Sequence, residues 1–232
     1  MVDPSRGNDL IPPEQKGSTY MHKLLTTALA AALLIALVAS PVVAHAERQT
    51  VAVNWHAQSG LSGPVGTDAS ATLVRRANGI SYHFQTASLI PGHAYTLWLV
   101  VVNNFAACSV VPCSGQDVIL NPATNGQVSY AAGSLVGNSG QATLAGSIAA
   151  GPIADGWLAE RGLDDPVGAE VHLVLNDHGP AMSDYLPGMI HTYRAGCTDA
   201  SLVPFFPATA FADGDPGPNT CRLYQVAVFP GD

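Results

Sequence analysis

Short runs of alternating apolar and polar residues, separated by turn residues, make up most of the chain after residue 46. In Val51–Trp55 every second side chain is bulky and apolar, which is the period of a half-buried strand. Asn78-Gly79 separates Ala71–Arg76 from Ile80–Gln85, and this dipeptide between alternating runs is a strong signal for a tight hairpin. The pattern therefore predicts antiparallel strands joined by short turns.

Three further runs predict longer strands. Pro91-Gly92 suits the middle of a type II turn, and the run Ala94–Val102 that follows is apolar on both faces. Such a run is expected in the interior of a sheet. Glu170–Asn176 alternates again, and Arg222–Phe229 is expected to close the domain and to pair inside a sheet. These strands add to an all-β pattern.

A second hairpin is predicted at Asn125-Gly126, between Asp117–Leu120 and Gln127–Tyr130. Helix is scarce, and Pro152–Arg161 is the segment in which one or two helical turns are expected. Short strands with turns about every ten residues predict a two-sheet antiparallel β-sandwich with long loops. The sandwich is expected to form a single domain over residues 47–232. A closed β-barrel is the alternative.

The segment 21–46 has the organisation of a secretory signal peptide. It contains a lysine, an uncharged apolar run over residues 24–38, and a small-residue cleavage pattern that ends at Ala46. Cleavage after Ala46 predicts a secreted, periplasmic or cell-envelope protein with no transmembrane segment left. The alternative is an N-terminal anchor, although the run is shorter than the roughly 20 residues that a spanning helix needs. Residues 1–20 are interpreted as a non-native or over-extended start.

The charge of the exported part argues against nucleic acid as a partner. From residue 47 onward the chain has six arginines and no lysine against fourteen aspartates and glutamates. An acidic surface repels phosphate backbones and anionic lipid headgroups. The expected partner is an extracellular ligand or a component of the cell envelope, whose identity the sequence leaves open.

Four cysteines lie in the exported part, and an even number there indicates disulfides. Three pairings are possible, and Cys108–Cys113 with Cys197–Cys221 is favoured because each pair closes a loop between neighbouring segments. A zinc site or a redox pair is the alternative, but the Cys-x-x-Cys spacing typical of both is absent from the sequence.

The densest group of chemically versatile residues follows the strand Glu170–Asn176. His172, His178 and His191 could supply three imidazoles to copper or zinc if the loop after the strand folds back. Supporting candidates are Asp177, which would orient a histidine, and Met182 and Met189, which would favour copper. The alternative is that Asp177-His178-Gly179-Pro180 is simply a turn.

No pattern in the sequence indicates catalysis, and no catalytic residue is predicted. The Gly-x-Ser-x-Gly pattern of serine hydrolases is absent from the sequence. The aspartates Asp164, Asp165, Asp213 and Asp215 lie in segments rich in proline and glycine, where solvated turns explain them.

Several local stretches resemble a group of uncharacterised exported bacterial proteins over nearly all of the exported part. They are Leu89–Trp98, Val102-Asn103-Asn104 with Cys108 and Cys113, Gly168–Val174, Asp177–Pro180, Ile190-His191-Thr192 and Asn219-Thr220-Cys221. This resemblance implies export from a bacterial cell and brings no activity with it.

The Leu-x-Pro-Gly-x-x-Tyr-Thr stretch and the later histidine-bearing strand are also similar to CHRD-type secreted β-sandwich domains. The chain departs from that domain's His-x-His pairing, since it has Val171-His172-Leu173.

Two hypotheses follow from the sequence. The first is a secreted, disulfide-stabilised, non-enzymatic module that binds a ligand or has a structural role, with strand Glu170–Asn176 and the loop to His191 as its functional edge. The second is a secreted metalloprotein that holds copper or zinc on His172, His178 and His191.

Overall fold

The computed structural model describes residues 46–232. Nearly all of the predicted signal peptide, and the predicted over-extended start before it, lie outside the described residues. Within the described part, no helix combines the length and the apolar character needed to cross a bilayer.

Strands dominate this part of the chain, and the helices are short. The strands are β1 (Glu47–Ala52), β2 (Asn54–Trp55), β3 (Ser70–Arg76), β4 (Gly79–Thr86), β5 (His93–Val102), β6 (Gly126–Leu135), β7 (Ala142–Ala149), β8 (Gly151–Pro152), β9 (Gly162–Leu163), β10 (Glu170–Pro180) and β11 (Arg222–Phe229). The α-helices are α1 (Gly115–Leu120), α2 (Leu186–Met189) and α3 (Ala208–Ala212), and 3-10 turns cover Ala57–Ser59, Phe105–Ala107, Pro122–Thr124 and Asp199–Ser201.

The strands form two main antiparallel sheets packed as a sandwich, which confirms the predicted fold class. One sheet has four strands in the order β1-β3-β4-β7, and the other has five in the order β2-β11-β10-β5-β6. Strand β5 lies inside the five-stranded sheet, between β10 and β6, as its two apolar faces predict. Strands β8 and β9 form a small separate ladder.

The core between the two sheets is built from alternate residues of the strands. Leu73 and Phe84 come from the four-stranded sheet, and Leu97, Leu99 and Leu173 come from the five-stranded sheet; all five side chains are buried. Because strand side chains alternate between faces, the intervening residues of the five-stranded sheet point away from this core.

A second apolar cluster covers that outer face. Trp98 and Val102 of β5 and Val128 of β6 pack there against Val118 of α1 and Tyr193 of the segment between β10 and β11. The five-stranded sheet is therefore covered on both faces, by the other sheet on one side and by a layer of loops and short helices on the other. Arg75 of β3 donates to the backbone carbonyls of Pro166, Ala169 and Pro230 and so holds these loop residues against its strand.

The first predicted hairpin is present. Strands β3 and β4 pair with Arg76 opposite Gly79, so that Ala77 and Asn78 form the turn. The predicted type II turn is also present, since Gly92 has φ of 79° and the His93 N–H donates to the Ile90 carbonyl.

The second predicted hairpin is wrong. Asp117–Leu120 lies in α1, whose first turn is fixed by Ser114: its hydroxyl accepts from the Asp117 N–H, and the Asp117 carboxylate accepts from the Ser114 N–H in return. This reciprocal capping overrides the strand pattern. The helix expected over Pro152–Arg161 is also absent, since this segment is irregular apart from its first residue, which belongs to β8.

Both favoured disulfides are present. Cys108 bonds to Cys113 with the Cα atoms 5.4 Å apart, and Cys197 bonds to Cys221 with the Cα atoms 5.5 Å apart. No described cysteine is free.

Candidate functional site

An apolar pocket of about 250 Å³ lies on the outer face of the five-stranded sheet. Its floor consists of two neighbouring rows of side chains that cross the sheet. One row runs Val128, Val100, His172 and Val228, and the next runs Tyr130, Trp98, Val174 and Val226. All of these residues except Tyr130 line the pocket. Because of this strand register, the floor of the pocket consists mostly of valine side chains and contains a single imidazole.

The segment around the first disulfide forms one wall. Cys113 and the start of α1 line the pocket, with Val118 and Ile119 directed towards it. This wall is held by Asp117, whose Oδ1 accepts the Ser109 N–H at 2.9 Å and whose Oδ2 accepts the Ser114 hydroxyl at 2.7 Å. These hydrogen bonds keep the pKa of Asp117 well below its ordinary value.

Aromatic rings form the opposite wall. Trp157 lies with its ring centroid 4.9 Å from those of Trp98 and Tyr193 and 5.1 Å from that of Phe206. The Trp157 and Tyr193 rings are inclined at 68°, close to the edge-to-face arrangement that aromatic pairs favour. The indole N–H of Trp157 is buried without a hydrogen-bond partner in the described structure.

A hydrogen-bonded pair, Glu170 and His172, lies at the end of the floor next to the disulfide wall. His172 Nε2 is 2.7 Å from Glu170 Oε1, and the same oxygen accepts the Cys113 N–H at 2.8 Å. Burial acts to raise the pKa of Glu170, but the hydrogen bonds from His172 and Cys113 outweigh it, and the pKa is lowered. Glu170 is therefore a carboxylate that accepts from His172 Nε2–H.

In the neutral imidazole, that assignment places the hydrogen on Nε2 and leaves His172 Nδ1 as an acceptor. Within residues 46–232, Nδ1 has no hydrogen-bond partner, and it is not among the buried side-chain atoms that lack one. Since His172 lines the pocket, its free nitrogen is open to whatever fills that space. A carboxylate that fixes the tautomer of a histidine in this way also fixes the orientation of its ring.

His56 supplies a second imidazole at the edge of the pocket. Its Nδ1 accepts the Gln58 N–H at 3.2 Å, so its proton is on Nε2. Burial lowers the pKa of His56, which favours this neutral form.

The structure does not bring the three predicted metal ligands together. His172 is paired with Glu170, as described above. His178 is fully buried; its Nδ1 is 2.9 Å from the Ala195 carbonyl and its Nε2 is 2.8 Å from Thr96 Oγ1. His191 is exposed, stacks on the Tyr130 ring and is bonded through Nδ1 to the Pro187 carbonyl at 2.9 Å.

His178 belongs to a linear chain of hydrogen bonds that runs from Trp98 to Ala195. The Trp98 indole N–H donates to Thr96 Oγ1 at 2.8 Å, the Thr96 hydroxyl donates to His178 Nε2, and His178 Nδ1–H donates to Ala195. Burial lowers the pKa of His178 to about 4, so it is neutral at neutral pH.

His178, Cys197 and Cys221 form the one group of three potential ligands that lies close together in the described part of the chain. Both sulfurs belong to a disulfide, which removes the thiolates that bind metal.

The supporting candidates have other partners. Asp177 Oδ1 accepts from the Gly179 N–H at 2.8 Å and is 2.9 Å from His93 Nδ1. The turn expected over Asp177–Pro180 is wrong, because these residues continue strand β10 with a register shift against β5. Met189 is fully buried, and Met182 packs beside it in a small apolar cluster with Ala94 and Ala195.

The pocket itself was not predicted, although the sequence contained a signal for it. Ala94–Val102 is apolar on both faces, and in Glu170–Asn176 the second face still carries Val174. A strand apolar on both faces needs a cover on both faces, so a third layer could have been inferred. The gap between the sheet and this cover depends on side-chain packing, which periodicity does not describe.

Comparison of the chain with known protein families, with curated proteins and with solved structures gave no match.

Proposed function

We propose that this protein is an exported β-sandwich that binds a small, mainly apolar molecule in the pocket over Val174 and Val226. The observation that carries the proposal is the pocket itself: an apolar concavity with a few fixed polar groups is the usual form of a small-molecule site. An engineered apolar cavity of about 150 Å³ binds benzene, so a space of about 250 Å³ is large enough for a ring with a short substituent.

Binding is favoured over catalysis because the pocket's hydroxyl nucleophile is already engaged. Ser114 Oγ accepts from the Asp117 N–H and donates to the Asp117 carboxylate, so it serves as a helix cap. Asp117 is a poor base for activating this serine, because the hydrogen bonds that it accepts keep its pKa well below the ordinary value.

The proposed export follows from the signal-like segment 21–46 together with the two disulfides, which persist outside the reducing cytoplasm. The resemblance to exported bacterial proteins and to CHRD-type domains supports the same location. The intact mass of protein secreted by a bacterial host tests this proposal. The expected mass corresponds to a chain that begins at Glu47 and has both disulfides formed. A mass that includes residues 21–46, or one with free thiols, would contradict it.

Calorimetric titration with ethylbenzene tests the binding function. We expect a Kd below about 1 mM, which corresponds to about −4 kcal/mol. The variant Val226→Trp fills the pocket from its floor and is expected to abolish binding. Val74→Trp, on the outer face of the four-stranded sheet, is the matched control and should bind as the wild type does. Equal affinity in the two variants, or no binding to the wild type, would refute the proposed site.

A further inference from the structure

The charges around the pocket restrict what it can hold. None of its lining residues is Asp, Glu, Lys or Arg. Glu170, which adjoins the lining, is already bonded to His172 and to the Cys113 N–H, so it has no need of a cation. An anion would meet this carboxylate without any lysine or arginine in the lining to offset it. Since burying an unpaired charge is costly, the pocket suits an uncharged molecule.

On the floor of the pocket, His172 is the side chain with a polar atom left for a ligand, since the Trp98 indole N–H donates to Thr96. A carboxylate can only accept, so the neutral imidazole of His172 has its hydrogen on Nε2, and Nδ1 presents a lone pair. An apolar ligand without a donor would bury this lone pair unpaired, which is unfavourable. A ligand with a hydroxyl group can donate to it.

The aromatic wall indicates the shape of the remainder of the ligand. Trp157, Tyr193 and Phe206 already pack with their ring centroids 4.9–5.3 Å apart at inclined angles, and all three rings line the pocket. Another flat ring can add edge-to-face or offset contacts of the same kind.

We infer that the pocket takes a small uncharged phenol, whose ring packs against the aromatic wall and whose hydroxyl donates to Nδ1 of His172. Glu170 acts on the ligand indirectly, because it fixes which nitrogen of His172 is the acceptor. This inference rests on the proposed function and adds the chemical class of the ligand.

Titration of the wild-type protein with a matched series tests the inference. The probes are 4-ethylphenol, its methyl ether 4-ethylanisole, ethylbenzene, the anion of 4-ethylbenzoic acid, and the cation 4-ethylbenzylamine. The phenol should bind tightest, with roughly 3- to 10-fold higher affinity than the methyl ether, which lacks the donor. The two charged probes should bind at least tenfold more weakly than the phenol.

The variant His172→Phe keeps a ring in the floor and removes the acceptor. It should retain ethylbenzene binding, while 4-ethylphenol falls roughly tenfold relative to ethylbenzene, because its hydroxyl is then buried without a partner. If this variant does not fold, the wild-type series alone decides the question.

The outcomes separate the two proposals. Binding of ethylbenzene with no preference for the phenol over its methyl ether refutes the phenol inference and leaves the apolar binding function intact. Tightest binding of either charged probe also refutes the inference. Failure of every probe to bind refutes the proposed function itself.

Discussion

The buried imidazole of His178 is expected to make the stability of the fold depend on pH. Its pKa falls from 6.5 in an unfolded chain to about 4 in the native protein, because burial disfavours the charged form. Between these values the unfolded state binds more protons than the native state. The stabilising contribution is therefore complete above pH 6.5 and is lost as the pH falls towards 4.

The size of the effect follows from the shift. At 1.36 kcal/mol per pKa unit, the free energy of unfolding should fall by about 3 kcal/mol between pH 7 and pH 4 because of this one residue. The variant His178→Gln can still donate to the Ala195 carbonyl and accept from Thr96, but it does not titrate. It is expected to be less stable than the wild type at pH 7 and to lose about 3 kcal/mol less on acidification.

Urea unfolding monitored by tryptophan fluorescence at several pH values measures this difference. His83→Gln is the matched control, since His83 is exposed on the outer face of β4 and its loss should leave the pH dependence unchanged. The comparison between variants cancels the contributions of the carboxylates and of His56. If His178→Gln and the wild type lose the same stability between pH 7 and pH 4, the reasoning is refuted.

Three further predictions concern stability and metal. Arg75 is buried and donates to the backbone carbonyls of Pro166, Ala169 and Pro230. The variant Arg75→Met should therefore lower the free energy of unfolding, measured by urea denaturation, by about 3 kcal/mol, and an unchanged midpoint would contradict this. Replacing both cysteines of the Cys197–Cys221 disulfide by alanine should lower the free energy of unfolding by about 3 kcal/mol, because the disulfide joins residues 24 positions apart. Calorimetric melting of the alanine variant checks this, and a loss under about 1 kcal/mol would contradict it. Copper or zinc at equimolar concentration should leave the melting temperature unchanged, since the three candidate imidazoles do not converge. A rise of several degrees would contradict this.

The strands of the sandwich were predictable because the chemistry that fixes them is local. Asn78-Gly79 marks a hairpin, Pro91-Gly92 marks a turn, and Arg222–Phe229 is a mostly apolar run whose predicted bounds match those of β11. The disulfides were predictable for a similar reason. Cys108 and Cys113 are close along the chain, and Cys197–Cys221 ties a loop to the start of the last strand.

The helix α1 was missed because Asn125-Gly126 was interpreted as a hairpin turn that would pair Asp117–Leu120 with the following strand. Asn125 instead takes a left-handed conformation, with φ of 47°, at the start of β6.

The candidate site was predicted only in part. His172 lies in the pocket. Its partner Glu170 is two residues away on the same face of the same strand, and the alternating pattern alone does not show that the two side chains are bonded. His178 was selected for its neighbours in sequence, whereas its contacts with Thr96 and Ala195 come from segments far along the chain. Long-range packing of this kind cannot be inferred from spacing.

The most direct test of the central claim is a crystal structure of the protein soaked with bromobenzene, in which the bromine is located by its anomalous scattering. The account predicts a bromine peak above Val174 and Val226, between α1 and the Trp157 ring. A structure in which this space is closed, or in which bromine is found only elsewhere on the protein, would contradict it.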